Sequence, residues 1–488
     1  MTWNRRSVIV GMGAAALPVG ACGQVAVNGR ALLTASEFPD LSTAVERWQG
    51  VGGTLVIDRD FIIAAPIMMI CLPGLSYHLT TDRSRLIRYG GEQAHWALCI
   101  YSEGDTPFRI DGGLTIDGAN RVAMPLFVRF EPVSGDRRRD FLVSGLACKN
   151  ARIVLGNSPV DGRPANSYGA SGMLFMGGFD RLCLSGVSVS DVSRAARSGV
   201  VGSKGSLGIG VIGDLHSTSS ARHVLIEDFA VSRVDSDDPP FSVERFDMDG
   251  VLVFQAAEAD GTRPIIRRGT IREAAGRAVK IFAPGGGGVT RDLKIFRSVS
   301  SRFSGSVDVN HQHGDGLIAN IDITYSGRAH DLPSTPISMS SGTPRPIAFP
   351  FSVGEVRNVR IHDATGKPKA TLIGLQYNVV DDQGTRRYRI SHVIDDGFSL
   401  CLLLPGALGT YGIASIEIED VNVNLTMSLF ASEDPTKLLY IRARRANFNA
   451  EQRLLPIKVS YDGRPVEKKL EVLVDIDDSV SGLTHDFP

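Results

Sequence analysis

Three segments set the fold when they are laid one under another without gaps: Asp249-Gly-Val-Leu-Val-Phe254, Arg277-Ala-Val-Lys-Ile-Phe282 and Gly305-Ser-Val-Asp-Val-Asn310. Each start lies 28 residues after the last, at 249, 277 and 305. Val251, Val279 and Val307 fall in one column, and Val253, Ile281 and Val309 in another. Side chains of a strand alternate between its faces, so these two columns share one face, and Leu252, Lys280 and Asp308 share the other. A repeated strand that buries the same two positions in each period indicates stacked coils.

Working outward, a second apolar series runs alongside: Leu182-Cys-Leu184, Val224-Leu-Ile226, Ile265-Ile266, Leu293-Lys-Ile295, Ile318-Ala-Asn-Ile321 and Val359-Arg-Ile361. Its starts differ by 42, 41, 28, 25 and 41 residues, the pattern of a basic coil of about 25 residues with insertions in some turns. From residue 50 onward short runs of Val, Ile, Leu and Phe alternate with polar residues and are broken by Gly, Asp, Asn and Ser, which is strand periodicity. One early stretch, Leu41 to Trp48, carries helix spacing, with Ala44, Val45 and Trp48 on one side and Ser42 as its expected cap.

The chain has 488 residues, 43% hydrophobic and 22% charged, enough for a large core and unlike a disordered chain. Its 52 basic and 53 acidic side chains nearly cancel, which argues against a surface that tracks nucleic-acid phosphates. Arg137-Arg138-Arg139, flanked by Asp136 and Asp140, lacks interleaved aromatics and reads as a solvated loop. Gly285 to Gly288 lacks the Lys-Ser/Thr of a phosphate loop and reads as a turn between coils.

The N-terminus reads as an export signal over residues 1–21. Arg5-Arg6 precede the uncharged stretch Val8 to Val19, and Val19-Gly20-Ala21-Cys22 ends in small residues. The paired arginines resemble a twin-arginine signal, and the final four residues resemble a lipobox that would make Cys22 the lipidated first residue. The expected location is outside the cytoplasm: periplasmic, lipid-anchored at the outer membrane, or secreted. Removing the signal leaves 50 basic against 53 acidic side chains. The other cysteines, Cys71, Cys99, Cys148, Cys183 and Cys401, have no zinc spacing, and Cys71 and Cys99 are expected as buried thiols, with a disulfide between them the alternative.

The coil series from about 180 to 425, the helix followed by Gly52-Gly53-Thr54-Leu55-Val56-Ile57, and Leu114-Thr-Ile-Asp-Gly118 together resemble the right-handed parallel β-helix proteins of the pectate-lyase-like superfamily. The resemblance implies an all-β, single-stranded solenoid over residues 22–454 with an N-terminal capping helix. Residues 455–488, with Lys468-Lys469 and acids from Asp475 to Asp478, are expected as a C-terminal cap or tail.

Such solenoids host lyases, hydrolases, epimerases and inert adhesins, so the reaction has to come from the residues. The expected working face is the outward one, where Lys280 and Asp308 neighbour each other across coils. Beta-elimination from a uronic-acid glycan requires that its carboxylate be neutralised, a proton removed at C5 and the leaving oxygen protonated. On the roles the resemblance implies, Lys280 is base or carboxylate clamp, His311 or His313 the proton donor, Arg277 a substrate clamp, and Asp247 and Asp249 calcium ligands. Asp308 beside Lys280 would hold the ammonium protonated, which favours the clamp. Zinc is not expected, because the His311/His313 pair has no evident third ligand.

Two alternatives stand beside the lyase. A hydrolase would use paired carboxyl groups. Asp237-Asp238, Asp247-Met-Asp249, Gln312-His313-Gly314 and Arg277-Ala-Val-Lys280 are similar to polygalacturonase motifs, but Asp247 replaces Asn, the lysine stands one residue too far and the order along the chain differs. Asp237, Asp238 and Asp315 are then substrate-binding candidates. The other alternative is a non-catalytic glycan-binding or exopolysaccharide-assembly protein, suggested by aliphatic Leu252 in the working column and by only 3 Trp.

Overall fold

The computed structural model describes residues 31–102, 106–130, 140–153, 169–196, 205–213, 223–239, 248–254, 264–283, 288–297, 307–311, 316–326, 337–341, 351–363, 373–377, 385–404, 414–429, 438–446, 460–461, 464–465 and 471–476. For 283, 308, 310, 311, 338–341, 351–354 and 363 onward only the backbone is described.

The chain advances in coils. The first runs through Gly53–Ile57, Phe61–Ile63 and Ile67–Cys71, the second through Tyr77–Thr81, Arg85–Tyr89 and Ala94–Ser102. Each strand pairs in parallel with its counterpart one coil later: Gly53 with Tyr77, Phe61 with Ile87, Ile67 with Leu98. From His223–Ser236 onward the first two strands of a coil merge into one long strand, followed by a separate third strand such as Met248–Phe254. The third strands form a ten-stranded sheet and the others a twenty-stranded one. Among the described residues only Ser460–Tyr461 and Arg464–Pro465 pair antiparallel. This arrangement fits a parallel β-helix. The ladder continues to Glu471–Ile476, paired with Leu438–Ala446.

The 28-residue register is present as read. Val251 pairs with Val279 and Val279 with Val307, while Leu252, Lys280 and Asp308 align beside them. Val251, Val253, Val279, Ile281, Val307 and Val309 are fully buried, a β-branched ladder packed between the sheets. The second series needs correction. Leu182 pairs with Val224, and Leu184, Ile226 and Ile266 form the neighbouring inward column, but Ile265 pairs with Val289, whereas Leu293 pairs with Gly269 and then with Ile321. Two apolar stretches on the same long strand had been merged into one series.

Helix α1 spans Leu41–Val51 and buries Leu41, Ala44, Val45 and Trp48 against the strands of the first coil. Its cap is Asp40, not Ser42: the Asp40 carboxylate accepts the Thr43 N–H at 2.8 Å. Gly52 and Gly53, both at positive φ, reverse the chain into the first strand, and a Cβ on Gly53 would lie 2.3 Å from the Ala31 carbonyl oxygen. Trp48 Nε1 donates to the Gly53 carbonyl at 3.0 Å, and the Trp48 ring meets Tyr77 and Phe108 edge-on. Cys71, Cys99 and Cys148 are buried free thiols, and burial pushes all three thiol pKa values up.

The bends between strand columns are held by polar ladders in the left-handed region. Asp228, Arg268, Asp292, Asn320 and Asn358 all have positive φ and succeed each other coil by coil. Arg268 grips Asp228 with two hydrogen bonds of 2.7 and 2.8 Å, Asn320 donates to Asp292 at 2.7 Å, and Asn358 donates to Asn320 at 2.9 Å. A second bend stacks Asn150, Asp191, Arg233 and Glu273, with Arg233 paired to Asp191. Short polar side chains tolerate this backbone and their amides join one coil to the next.

Two outcomes follow in urea denaturation. Asn320→Ala should cost about 2 kcal/mol and Asn320→Gly about 1 kcal/mol, because glycine loses the ladder bonds but not the backbone conformation. Hydrogen bonding from Arg233 and Arg268 holds the Asp191 and Asp228 carboxyls below the usual range. Their stabilisation is present above the unfolded carboxylate pKa of about 3.9 and is lost as pH falls through the lower folded value, so the gap between wild type and the Asp191→Asn/Asp228→Asn double variant should close on acidification.

Candidate functional site

The outward face of the ten-stranded sheet changes character along the stack. Cys99, Phe127, Leu174, Gly210, Leu252, Lys280 and Asp308 form one outward row, each in register with the next. In the early coils this row is covered, with Cys99, Phe127 and Leu174 buried, so both faces of the sheet are apolar there. At Leu252 and Lys280 it becomes half-buried. Phe254 and Phe282 occupy the neighbouring outward row, also half-buried, with rings stacked 4.8 Å apart at 9°. An ammonium group and an aromatic pair thus share one patch within two consecutive strands, and the backbone of Asp308 continues the row.

Other expected site residues are placed differently. Asp249 shares the alternation of Val251 and Val253 and is fully buried, facing the core. Its Oδ1 accepts the Arg277 backbone N–H at 2.9 Å, and Arg277 Nη1 lies 3.8 Å from the same oxygen. Arg277 is itself buried. Asp249 is thus turned toward the core by strand parity, and Arg277, just before the strand Val279–Ala283, is buried beside it. Close by, fully buried Arg297 donates to the Gly276 carbonyl at 2.6 Å, and burial pulls its guanidinium pKa down. This buried polar corner fixes the entry into the strand Val279–Ala283 and hence the position of Lys280.

Asp237 and Asp238 are held by arginines. Asp237 is exposed and paired with Arg152. Asp238 is buried, 2.5 Å from Arg194, which is 1% exposed. Sequence reading missed both arginines, since they lie 85 and 44 residues upstream and only the coil register brings them to the acids. The backbone of His311 pairs with Ala283, and that of Asp308 with Lys280; their side chains lie outside the described residues. Cys22, Asp247, His313 and Asp315 lie outside them altogether. Among the described residues no group of three or more His, Cys, Asp or Glu side chains is placed to hold a metal ion, and no helix is long and apolar enough to cross a membrane.

No protein-family model, no curated protein and no solved structure matches the chain. The roles of the two adjacent acids separate by stability. Asp238→Ala should cost about 3 to 5 kcal/mol by leaving the buried Arg194 charge without this carboxylate. Asp237→Ala, at a solvated pair, should cost less than about 1 kcal/mol in the same denaturation experiment.

Proposed function

We propose that the chain is an exported, right-handed parallel β-helix protein of the pectate-lyase-like type that cleaves a uronic-acid polysaccharide by β-elimination on the outward face around Lys280. The observation that carries this reading is the half-buried Lys280 on that face, in register with Leu252 on one side and Asp308 on the other. Partial burial strengthens an ammonium–carboxylate contact relative to water. Lys280 is then suited to neutralise the substrate carboxylate, which acidifies the C5 proton; His311 or His313 takes that proton as the C5–H and C4–O bonds break and the C4=C5 bond forms, and returns it to the leaving oxygen. Arg277 and Asp249 hold the strand that presents Lys280. Calcium would need ligands other than Asp249. Helix α1 acts as the cap that closes the first coil.

The hydrolase alternative loses support because Asp237 and Asp238 are engaged by arginines and Asp249 faces the core. Non-catalytic glycan binding remains the second reading, favoured by the apolar character of Leu252, Phe254 and Phe282 around the lysine.

The deciding measurement is incubation with uronic-acid polysaccharides, with and without calcium, following the ultraviolet absorbance of unsaturated uronate alongside reducing ends. Lys280→Ala should lower the rate of absorbance increase by about 100-fold or more. Lys280→Arg should retain part of it if charge is what matters, because arginine remains a clamp but cannot act as base. Reducing ends without absorbance would transfer the reading to hydrolysis, and retained glycan binding with neither signal would establish a binding role.

A further inference from the structure

A second polar array lies on the outer face of the first three coils, far along the stack from Lys280, and the reading above does not use it. Thr54, His78 and Arg109 are register neighbours in the strands Gly53–Ile57, Tyr77–Thr81 and Phe108–Ile110. Thr54 Oγ1 lies 3.5 Å from His78 Nδ1, and His78 Nε2 lies 3.0 Å from Asp111 Oδ2. Asp111 is fixed in turn: Thr80 Oγ1 donates to its Oδ1 at 2.6 Å and Arg109 Nε to its Oδ2 at 2.7 Å. All these residues are half-buried.

This array differs from the polar ladders elsewhere. Those sit on bend residues of positive φ and hold the turn, whereas here only Asp111 lies at a bend, beside Gly112. None of Thr54, His78, Thr80, Arg109 or Asp111 has positive φ, and further along the same outward row stand Leu142 and Cys183, both buried. The fold therefore does not require a hydroxyl, an imidazole and a carboxylate in line at this place. Burial works to raise the Asp111 carboxyl, but hydrogen bonds from Thr80 and His78 and the charge of Arg109 outweigh it and hold it below the usual range. It remains a carboxylate beside His78 Nε2, while Nδ1 on the other edge of the ring faces the Thr54 hydroxyl.

We infer that Thr54, His78 and Asp111 form a second reactive site, an acyl-transfer site for small-acyl esters of alcohols, with Thr54 as nucleophile, His78 as general base and acid, and Arg109 as the charge that meets the oxyanion. The Thr54 oxygen attacks the acyl carbon, the carbonyl electron pair moves to oxygen, and the hydroxyl proton passes to His78 Nδ1. Collapse breaks the ester C–O bond, and the leaving alkoxide takes that proton. Water then attacks the acyl-threonine through the same base, releasing the acid and restoring the hydroxyl; the net reaction is ester plus water to acid plus alcohol. The 3.5 Å contact is loose, as such contacts are before substrate binds. Arg109 stands two strands from Thr54, about 10 Å along the stack, with its Nε held on Asp111 Oδ2 at 2.7 Å, and is the arginine among these register neighbours. Thr80 is a positioning residue that acts through Asp111.

The test is p-nitrophenyl acetate hydrolysis by the full chain, with rapid acid quenching and mass analysis of peptides. The expected result is an acetyl group on the peptide carrying Thr54 in the wild type. Release of p-nitrophenolate should fall about 100-fold in Thr54→Ala and His78→Gln and persist in Thr54→Ser. The inference is overturned if the wild type carries no acetyl on Thr54, a readout independent of whether any variant folds, or if Thr54→Ala hydrolyses the ester as fast as wild type.

Discussion

The parallel hydrogen-bond ladder between successive coils is the constraint on which everything else depends. Every strand pairs with its own counterpart one coil on, about 4.8 Å away, so a position that faces inward in one coil faces inward in the next. The core therefore consists of columns. Val251, Val279, Val307 and Ile337 form one such column, each buried and each in register with its neighbour. Contiguous β-branched columns suit a pleated surface packed on both sides, which is why one short apolar motif can recur with little variation.

The same stacking restricts where charge can go. Like charges repeated in a column would sit about 4.8 Å apart, and the bend column alternates sign and then turns to amides. Arg267 and Arg268 both meet Glu227, Arg268 also grips Asp228, and the bend column then continues through Asp292 to Asn320 and Asn358. Most acids on the described surface thus belong to the architecture of bends and ladders, and an acidic cluster in the sequence is weak evidence for catalysis in this fold.

The fold was legible where spacing was constant and obscure where it was not. The segments at 249, 277 and 305 share one period, so their parity and their Lys280–Asp308 neighbourhood could be read directly. In the long merged strands two apolar stretches sit a few residues apart, and Leu293 was placed under Ile265 when Val289 belongs there. Only backbone pairing separates two such candidates. The acids were harder still: Asp237 and Asp238 are adjacent in sequence, yet one is exposed and the other buried, because their partners Arg152 and Arg194 come from different coils. Asp249 could have been recognised, since its odd-numbered parity matches Val251 and Val253; its resemblance to a catalytic motif drew attention away from that alternation. The Thr54–His78–Asp111 array had no signal in sequence, because its members are spread over three coils of unequal length.

A surface built of columns also bears on what such a protein can hold. An extended chain lying along the stack meets one side chain of each outward row per strand, so its recognition elements must repeat on the scale of the coil rise. On the ten-stranded sheet the early outward row is closed off by its own burial, and the first half-open positions are Leu252 and Lys280. There the row passes from apolar to charged within one coil, while the adjacent row keeps the stacked Phe254–Phe282 pair. The buried corner of Asp249, Arg277 and Arg297 lies behind that transition. Its hydrogen bonds to the Arg277 N–H and the Gly276 carbonyl fix the backbone at the entry to the strand that carries the lysine, so the change of character on the outer face is set by polar groups buried on the inner one.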